Sequence, residues 1–232
     1  MTQKFDNIIE IPELRNLNRI FQNREHAGTV LADMMTQYKD TDSIVFGIPA
    51  GGVPVAASVA SKLNLNLDVA VVSKITLPWN TEAGYGAVAY DGTVELNTEV
   101  LSQIGLTDDQ IKTGIEKAKI KVERRFKEFR GVKTFPDIGK YNIILVDDGV
   151  ASGFTMLVAV EALKKTGASK IIVATPTAHL QSLELIAPEV DKIYSANIRS
   201  GWGFAVADAY RNWYDVSEGE VIEIMSKYFD IK

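Results

Sequence analysis

The fold of this chain is decided by residues 143–155, which read IILVDDGVASGFT. Four apolar residues without polar alternation predict a strand that is buried on both faces, as in a parallel sheet. Two acids follow at the carboxyl end of this strand, and a short loop of small and hydroxyl residues then leads into a predicted helix over 154–165. Because amides at a helix N-terminus carry partial positive charge, this loop is suited to hold a phosphate.

The segments on either side continue the alternation of strands and helices. Apolar runs predict further strands at 44–48, 67–73, 142–146, 170–175 and 192–195, and helical spacing predicts helices at 24–38, 53–63, 107–130, 179–186 and 218–228. Between them, residues 74–93 predict a long glycine-containing loop, with a hairpin formed by 86–90 and 93–97. The pattern indicates a doubly wound, mainly parallel α/β sheet, whose ligands bind beyond the carboxyl ends of the strands. The turns after Ile48 and Val146 are therefore the expected site.

Length and composition exclude several classes of site and partner. The chain has 232 residues, a net charge of −5, no cysteine and two histidines. Disulfides, thiolate chemistry, cysteine-based metal sites and multi-histidine metal centres are excluded, and the acidic charge disfavours general nucleic-acid binding. No apolar run reaches the roughly 20 residues that span a bilayer, and the first ten residues do not resemble a secretory signal. We expect one domain over 1–232, cytoplasmic, without a membrane or nucleic-acid partner.

Asp147 and Asp148 indicate what else, besides a phosphate, the ligand of the predicted loop must carry. Two adjacent carboxylates beside a bound phosphate would repel it unless they accept hydrogen bonds from a sugar diol or face a hard cation such as magnesium. Ser152 and Thr155 add hydroxyl donors to the same loop. These residues indicate a site for ribose 5-phosphate. In the alternative interpretation, the two acids only cap the helix and Ser152-Gly153 is an ordinary tight turn.

Residues 143–155 resemble the motif by which type I phosphoribosyltransferases bind 5-phosphoribosyl 1-pyrophosphate (PRPP). Ser152 stands where the family usually has threonine, and Phe154 where a smaller residue is more usual. Further stretches at 21–28, 47–54, 82–88 and 210–217 are similar to uncharacterised phosphoribosyltransferase-domain proteins, so the resemblance covers nearly the whole chain. It implies the type I phosphoribosyltransferase fold, with a small hood built from about 1–23 and 196–232.

The resemblance also implies a role for each part of the site. Asp147 and Asp148 would bind the ribose hydroxyls, and the 5′-phosphate would lie on Gly149, Val150, Ala151, Ser152, Gly153, Phe154 and Thr155. Pyrophosphate would bind to Pro49, Ala50, Gly51 and Gly52, a loop that often contains a non-proline cis peptide in the family. Lys74 and Glu82 would be catalytic, 77–97 a mobile lid, and Arg199, Trp202, Phe204 and Tyr210 an acceptor hood. Alternatively, 49–52 is a simple turn, Lys74 is a solvated lysine, and the hood aromatics are packing residues or a dimer contact.

The implied reaction transfers the 5-phosphoribosyl group of PRPP to a nitrogen acceptor and releases pyrophosphate. Magnesium is the implied cofactor; it would arrive with PRPP, with Asp147 and Asp148 as the only candidate protein contacts. Ala151 stands where the 6-oxopurine enzymes have an aspartate, which argues against hypoxanthine and guanine as acceptors. A homodimer is expected. The alternative function is a non-catalytic protein that senses PRPP or a nucleotide.

Two other patterns carry less weight. The predicted helix over 107–130 is rich in lysine and arginine, but glutamates are interleaved. A solvated amphipathic face is the default interpretation of such a helix, with RNA binding as the alternative. Residues 84–89 match a dinucleotide-binding pattern but do not connect a strand to a helix, so the pattern is set aside.

Overall fold

The computed structural model describes residues 5–131 and 135–229, without the side chains of residues 81, 82 and 229. The strands are β1 (Ile8–Glu10), β2 (Ser43–Gly47), β3 (Asn66–Val69), β4 (Val72–Leu77), β5 (Asn80–Ala89), β6 (Val94–Leu96), β7 (Asn142–Val146), β8 (Lys170–His179) and β9 (Lys192–Arg199). The α-helices are α1 (Arg24–Met34), α2 (Gly52–Leu63), α3 (Thr98–Ile104), α4 (Asp108–Arg130), α5 (Phe154–Lys165), α6 (Leu180–Ile186) and α7 (Glu218–Phe229).

The main sheet has six described strands in the order β1-β9-β8-β7-β2-β3, and every pairing within it is parallel. Helices cover both faces, which confirms the predicted doubly wound α/β fold. Strand β7 lies beside β2, with Val146 opposite Gly47. Since parallel strands end at the same edge of a sheet, the two turns that the sequence singled out lie side by side.

The segment after β3 departs from the prediction. The predicted strand over 67–73 is two strands in different sheets, because β3 ends at Val69 and β4 begins at Val72. The predicted long loop over 74–93 was wrong: β4, β5 and β6 form a three-stranded antiparallel sheet, of which only the β5–β6 hairpin was expected. Ile75 and Tyr85 are fully buried between this small sheet and α4, which gives the segment an apolar face to fold on.

Several boundaries agree closely with the sequence. Strand β7 and helix α5 have the predicted limits, and Thr107 forms the predicted capping box with Gln110 at the start of α4. Strands β8 and β9 run four residues further than predicted, to His179 and Arg199. The added residues include the buried polar pair Thr177 and Asn197, in which the Thr177 hydroxyl donates to Asn197 Oδ1 at 2.6 Å. Strand β1 and helix α3 were not predicted.

The predicted hood segments meet at one edge of the molecule. Strand β1 is an edge strand of the main sheet, paired with β9. Phe21 bridges to Tyr210, and the Arg19 amide donates to the Asp208 carbonyl at 2.7 Å, so the N-terminal and C-terminal segments pack together. The division into a core and a hood stays a prediction. Within the described residues, no helix combines the length and apolar character needed to cross a membrane.

Candidate active site

A cavity of about 400 Å³ opens at the carboxyl ends of β2 and β7. Its wall combines the turn after β2, the start of β4, the loop between β7 and α5, and one face of α4. A second cavity of about 510 Å³ lies between β4 and α4 and shares Ser73, Lys74, Thr76 and Lys121 with the first. The two together form one groove across the switch point of the sheet, where α/β proteins of this kind bind ligands.

Asp147 and Asp148 lie in the middle of the first cavity. Asp147 Oδ1 accepts a hydrogen bond from the Asp148 amide at 2.8 Å, which holds the first carboxylate against the backbone. Burial raises the pKa of Asp147 well above its ordinary value, and the neighbouring Asp148 carboxylate adds to the increase. Burial also raises the pKa of Asp148, although the nearby Arg24 guanidinium opposes that increase. Half-buried carboxylates with perturbed pKa values in a cavity are typical of functional sites.

Arg24 is a site residue to which the sequence assigned no role. It is only 5% exposed. Its guanidinium pairs with Asp148 Oδ2 at 2.8 Å, donates to the Tyr214 carbonyl at 2.8 Å and lies 4.0 Å from the centre of the Trp213 ring. Arginine in the first turn of a helix opposes the helix dipole. That unfavourable position in α1 was the signal that could have identified it.

The loop between β7 and α5 is hydrogen-bonded to β8 and α6 on one side and lines the first cavity on the other. The Val150 amide donates to the Thr177 carbonyl at 2.9 Å, and the Ser182 hydroxyl donates to the Ala151 carbonyl. In the described part of the chain, the amides of Ala151, Ser152 and Gly153 donate to no protein acceptor. Gly153 has φ of +77°, a conformation that favours glycine. Amides at a helix N-terminus favour a bound anion, and we call these three amides before α5 the cradle.

The side chains of this loop divide into two groups. Gly149, Val150, Ala151, Ser152, Gly153 and Thr155 line the first cavity. Phe154 instead packs with Leu157 beside a different cavity, so its bulk is directed away from the cradle. This placement explains how a large residue is accommodated at a position where the family usually has a small one.

The turn after β2 approaches the two acids closely. The bond between Pro49 and Ala50 is cis, as the family resemblance implied. Pro49 and Gly51 line the cavity, whereas Gly52 packs against the Val146 carbonyl. A Cβ added to Gly51 would lie 2.0 Å from Asp148 Oδ2, so only glycine allows the turn and the carboxylate to approach this closely.

Cations complete the wall of the cavity. Lys74 on β4 lines both cavities. Lys121 and Arg125 on α4 line the first cavity as well. The sequence treated the basic face of α4 as solvated by default. Lys121 is exposed, in agreement with that interpretation, and Arg125 is half-buried. Glu82 lies on β5, but its side chain is outside the described residues, so its catalytic role stays a prediction.

The predicted hood residues do not share one location. None of the four lines the first cavity, whereas Val206, which the sequence did not single out, does. Tyr210 is buried behind the acids, and its hydroxyl donates to the Asp148 carbonyl. Arg199 stacks on Phe204, with the guanidinium carbon 4.9 Å from the ring centre, while Trp202 is fully exposed. Their role in binding an acceptor therefore stays a prediction.

A parallel sheet with a cavity at its switch point places the chain among the doubly wound α/β proteins. Residues 16–209 match the family model described as the phosphoribosyl transferase domain. The chain belongs to the phosphoribosyl transferase family.

Two kinds of relative support this membership. Proteins from two Mycobacterium tuberculosis strains (CDC 1551/Oshkosh and H37Rv), provisionally named phosphoribosyl transferases, are 33% identical over 210 residues, which cover 90% of this chain. The matched region is 47% of their length, so the chain spans about half of these curated relatives. The crystal structure of TT1426 from Thermus thermophilus is 28% identical, with a TM-score of 0.72, and the match covers 90% of this chain and 98% of that one.

Proposed function

We propose that this protein binds PRPP with magnesium and transfers its 5-phosphoribosyl group to a nitrogen acceptor, with release of pyrophosphate. One observation carries the proposal. Asp147 and Asp148 lie in a cavity of about 400 Å³, between the cradle, whose amides have no acceptor among the described residues, and the turn at 49–51. A ligand with a diol between two phosphate-bearing ends matches this order of donors and acceptors.

Each part of the wall then has a task. The amides of Ala151, Ser152 and Gly153, together with the Thr155 hydroxyl, bind the 5′-phosphate. The two carboxylates accept hydrogen bonds from the ribose diol, and the Arg24 guanidinium favours the ionised form of Asp148, in which it accepts. The turn at 49–52 receives pyrophosphate. As the bond from C1 to the pyrophosphate oxygen breaks, its electrons leave with pyrophosphate while the acceptor nitrogen bonds to C1.

The donor set fits a magnesium ion that is bound mainly by the ligand. The first cavity offers two neighbouring carboxylates, and magnesium in phosphate sites is typically held by one or two carboxylates together with substrate phosphates. Among the described residues, no cluster of three or more acidic or histidine side chains is placed to hold a metal. Asp147 and Asp148 would contact the ion, which would neutralise the charge of the leaving pyrophosphate.

The acceptor site belongs to the same proposal. Val206 contacts the cavity from the segment that also carries Arg199, Trp202, Phe204 and Tyr210, and we assign acceptor binding to this segment. Ala151 cannot supply the carboxylate that handles a 6-oxopurine, which supports an acceptor other than hypoxanthine or guanine. Lys74 and Glu82 are the proposed catalytic residues, of which Lys74 reaches the cavity.

Titration calorimetry with PRPP and magnesium tests the diol assignment. We expect binding by the unmodified protein, at least tenfold weaker binding by Asp147→Asn, and none in the double variant Asp147→Asn, Asp148→Asn, because a neutral amide is a weaker acceptor than a carboxylate. The matched control is Asp40→Asn, Asp42→Asn, which removes the same charge from exposed residues before β2, at the opposite edge of the sheet. Unchanged PRPP affinity in both site variants would contradict the assignment.

Pyrophosphate release, assayed over a panel of nitrogenous bases and small amines, tests the transfer itself. We expect one acceptor to release pyrophosphate at a rate that falls in Asp147→Asn. If PRPP binds but no acceptor on the panel releases pyrophosphate, the result favours the sensor function instead.

A further inference from the structure

The cavity has two different ends, one on each side of the acid pair. The cradle before α5 lies toward β8, because Val150 bridges to Ala178. Helix α4 lies toward β3, because Arg130 near its C-terminus pairs with the buried Asp68 at 2.8 Å. A ligand that extends from the cradle past the two acids therefore reaches the wall formed by α4.

Helix α4 presents a row of cations to this groove. Lys121 and Arg125 line the first cavity, and Lys117 and Lys121 line the second. The three residues are spaced four apart, so they follow one another along one face of the helix. Like charges at this spacing destabilise an isolated helix. A row of this kind beside a cavity is explained if an anion lies against it.

In the described part of the chain, no carboxylate contacts the lysine side chains of this wall directly, and Glu218 acts on Lys121 only at longer range. Arg125 is bound to Glu218 at 2.6 Å. Among the described residues, the ammonium groups of Lys121 and Lys74 form no hydrogen bond or ion pair. Two ammonium groups, one from α4 and one from β4, thus face the same cavity with their donors unused.

We infer that α4 is a fixed anion clamp, in which Lys121, with Arg125 behind it and Lys74 opposite, binds the pyrophosphate group of the ligand. The inference rests on the proposed PRPP site and adds a helix to it that the family motif does not include. From the sequence we expected residues 77–97 to form a mobile lid over the pyrophosphate end of the cavity. In the structure, that segment includes β5 and β6 of the small sheet, and α4 packs on this sheet, so the helix that carries the cations is in place before the ligand arrives.

The test separates the two ends of the ligand. Magnesium pyrophosphate, PRPP with magnesium, and ribose 5-phosphate are each titrated calorimetrically into the unmodified protein, Lys121→Ala, Lys121→Arg and Lys127→Ala. We expect Lys121→Ala to bind pyrophosphate and PRPP about tenfold more weakly, since a charge-assisted hydrogen bond is lost. Ribose 5-phosphate affinity should not change, Lys121→Arg should restore most of the loss, and Lys127→Ala, an exposed lysine of α4 outside both cavities, should match the unmodified protein.

The outcomes that would overturn the clamp differ from those that would overturn the proposed function. Unchanged pyrophosphate affinity in Lys121→Ala would overturn the clamp, and so would an equal loss of ribose 5-phosphate affinity, which would indicate a general structural effect. If the unmodified protein bound neither PRPP nor ribose 5-phosphate, the proposed function itself would fail. Lys121 is exposed, so its variants are expected to fold, and thermal melting checks this.

Discussion

Arg24 shows how one residue connects distant parts of the chain. Its guanidinium joins α1 to Asp148 after β7 and to Tyr214 near the C-terminus. Guanidinium groups suit such a position because they are planar, carry several donors and stack on aromatic rings. The segment that ends in Tyr214 is thereby tied to the acid that we assign to the ribose.

We predict that Arg24→Met destabilises the protein by about 3–5 kcal/mol, because it leaves Asp148 without its cationic partner. Arg24→Lys should recover only part of this loss, since an ammonium cannot keep the paired donors and the stacking on Trp213 together. Urea denaturation measures both free energies of unfolding.

Arg15→Met is the control for this prediction. Arg15 also pairs with an acid, Glu10 at 2.7 Å, but its side chain is 38% exposed. Exposed ion pairs contribute about 1 kcal/mol or less, so this variant should lose little. If Arg24→Met lost no more stability than Arg15→Met, the buried ion pair would not have the importance given to it here.

At the scale of secondary-structure elements, the site depends on how closely the turn after β2 packs against the loop after β7. The contact is made by Gly51, whose hydrogen faces the Asp148 carboxylate. Strand pairing fixes this approach, because β2 and β7 are adjacent and in parallel register. A side chain at position 51 must therefore displace either the turn or the carboxylate.

We predict that Gly51→Ala lowers stability by about 1–3 kcal/mol, the usual cost of overpacking, and weakens PRPP binding. The matched control is Gly219→Ala in the first turn of α7, where an added Cβ would have its nearest neighbour at 3.8 Å. This control should be neutral or slightly stabilising because alanine favours helix. Thermal melting measures the stability of both variants, and titration measures their PRPP affinity. If Gly51→Ala lost no more stability or affinity than Gly219→Ala, the close packing at Gly51 would be contradicted.

At the scale of the whole molecule, α7 near the C-terminus contacts both α2 and α4. The Tyr228 hydroxyl donates to the Ala57 carbonyl at 2.7 Å, and Glu218 binds Arg124 and Arg125 at 2.8 and 2.6 Å. Hydrogen bonds from these arginines lower the pKa of Glu218 to about 2. Since Arg125 lines the first cavity, the C-terminal helix also supports the wall of the site.

This lowered pKa predicts a pH dependence of stability. A carboxyl group whose pKa falls on folding stabilises the protein above its ordinary pKa of 4.5, and the contribution is lost as the pH falls toward about 2. Glu218→Gln should therefore be less stable than the unmodified protein at pH 7, and the gap should narrow between about pH 5 and pH 3. Urea denaturation over this range measures it.

Glu223→Gln is the matched control on the same helix. Within the described residues, the one ion pair of Glu223 is with exposed Lys227, at 2.9 Å, so its replacement should change little at any pH. A gap for Glu218→Gln that stayed constant across the acidic range would contradict the assigned ion pair. The homodimer and the cytoplasmic location stay predictions at this scale.

Local pattern determined much of this protein. The apolar run at 143–146, bounded by acids and glycine, favours a buried strand, and the small residues before the next helical pattern favour a tight turn, so β7, α5 and the loop between them were predictable. The position of Asp147 and Asp148 at the carboxyl end of β7 was predictable too, because they directly follow the apolar run. The additional strands of the small sheet were not predictable, because its glycines resemble a loop until α4 covers its apolar face.

Which distant residues lie beside the acids depends on how the elements pack, and local pattern does not show it. Arg24, Lys121 and Arg125 are far in sequence from the acids, and each belongs to a helix whose pattern alone is compatible with a solvated charge. The structure shows that Arg24 is buried against Asp148 and that Lys121 and Arg125 line the first cavity. These contacts distinguish the three cations from charges that face only solvent. Sequence spacing fixes the neighbours along one element, but the packing of elements fixes the neighbours across them.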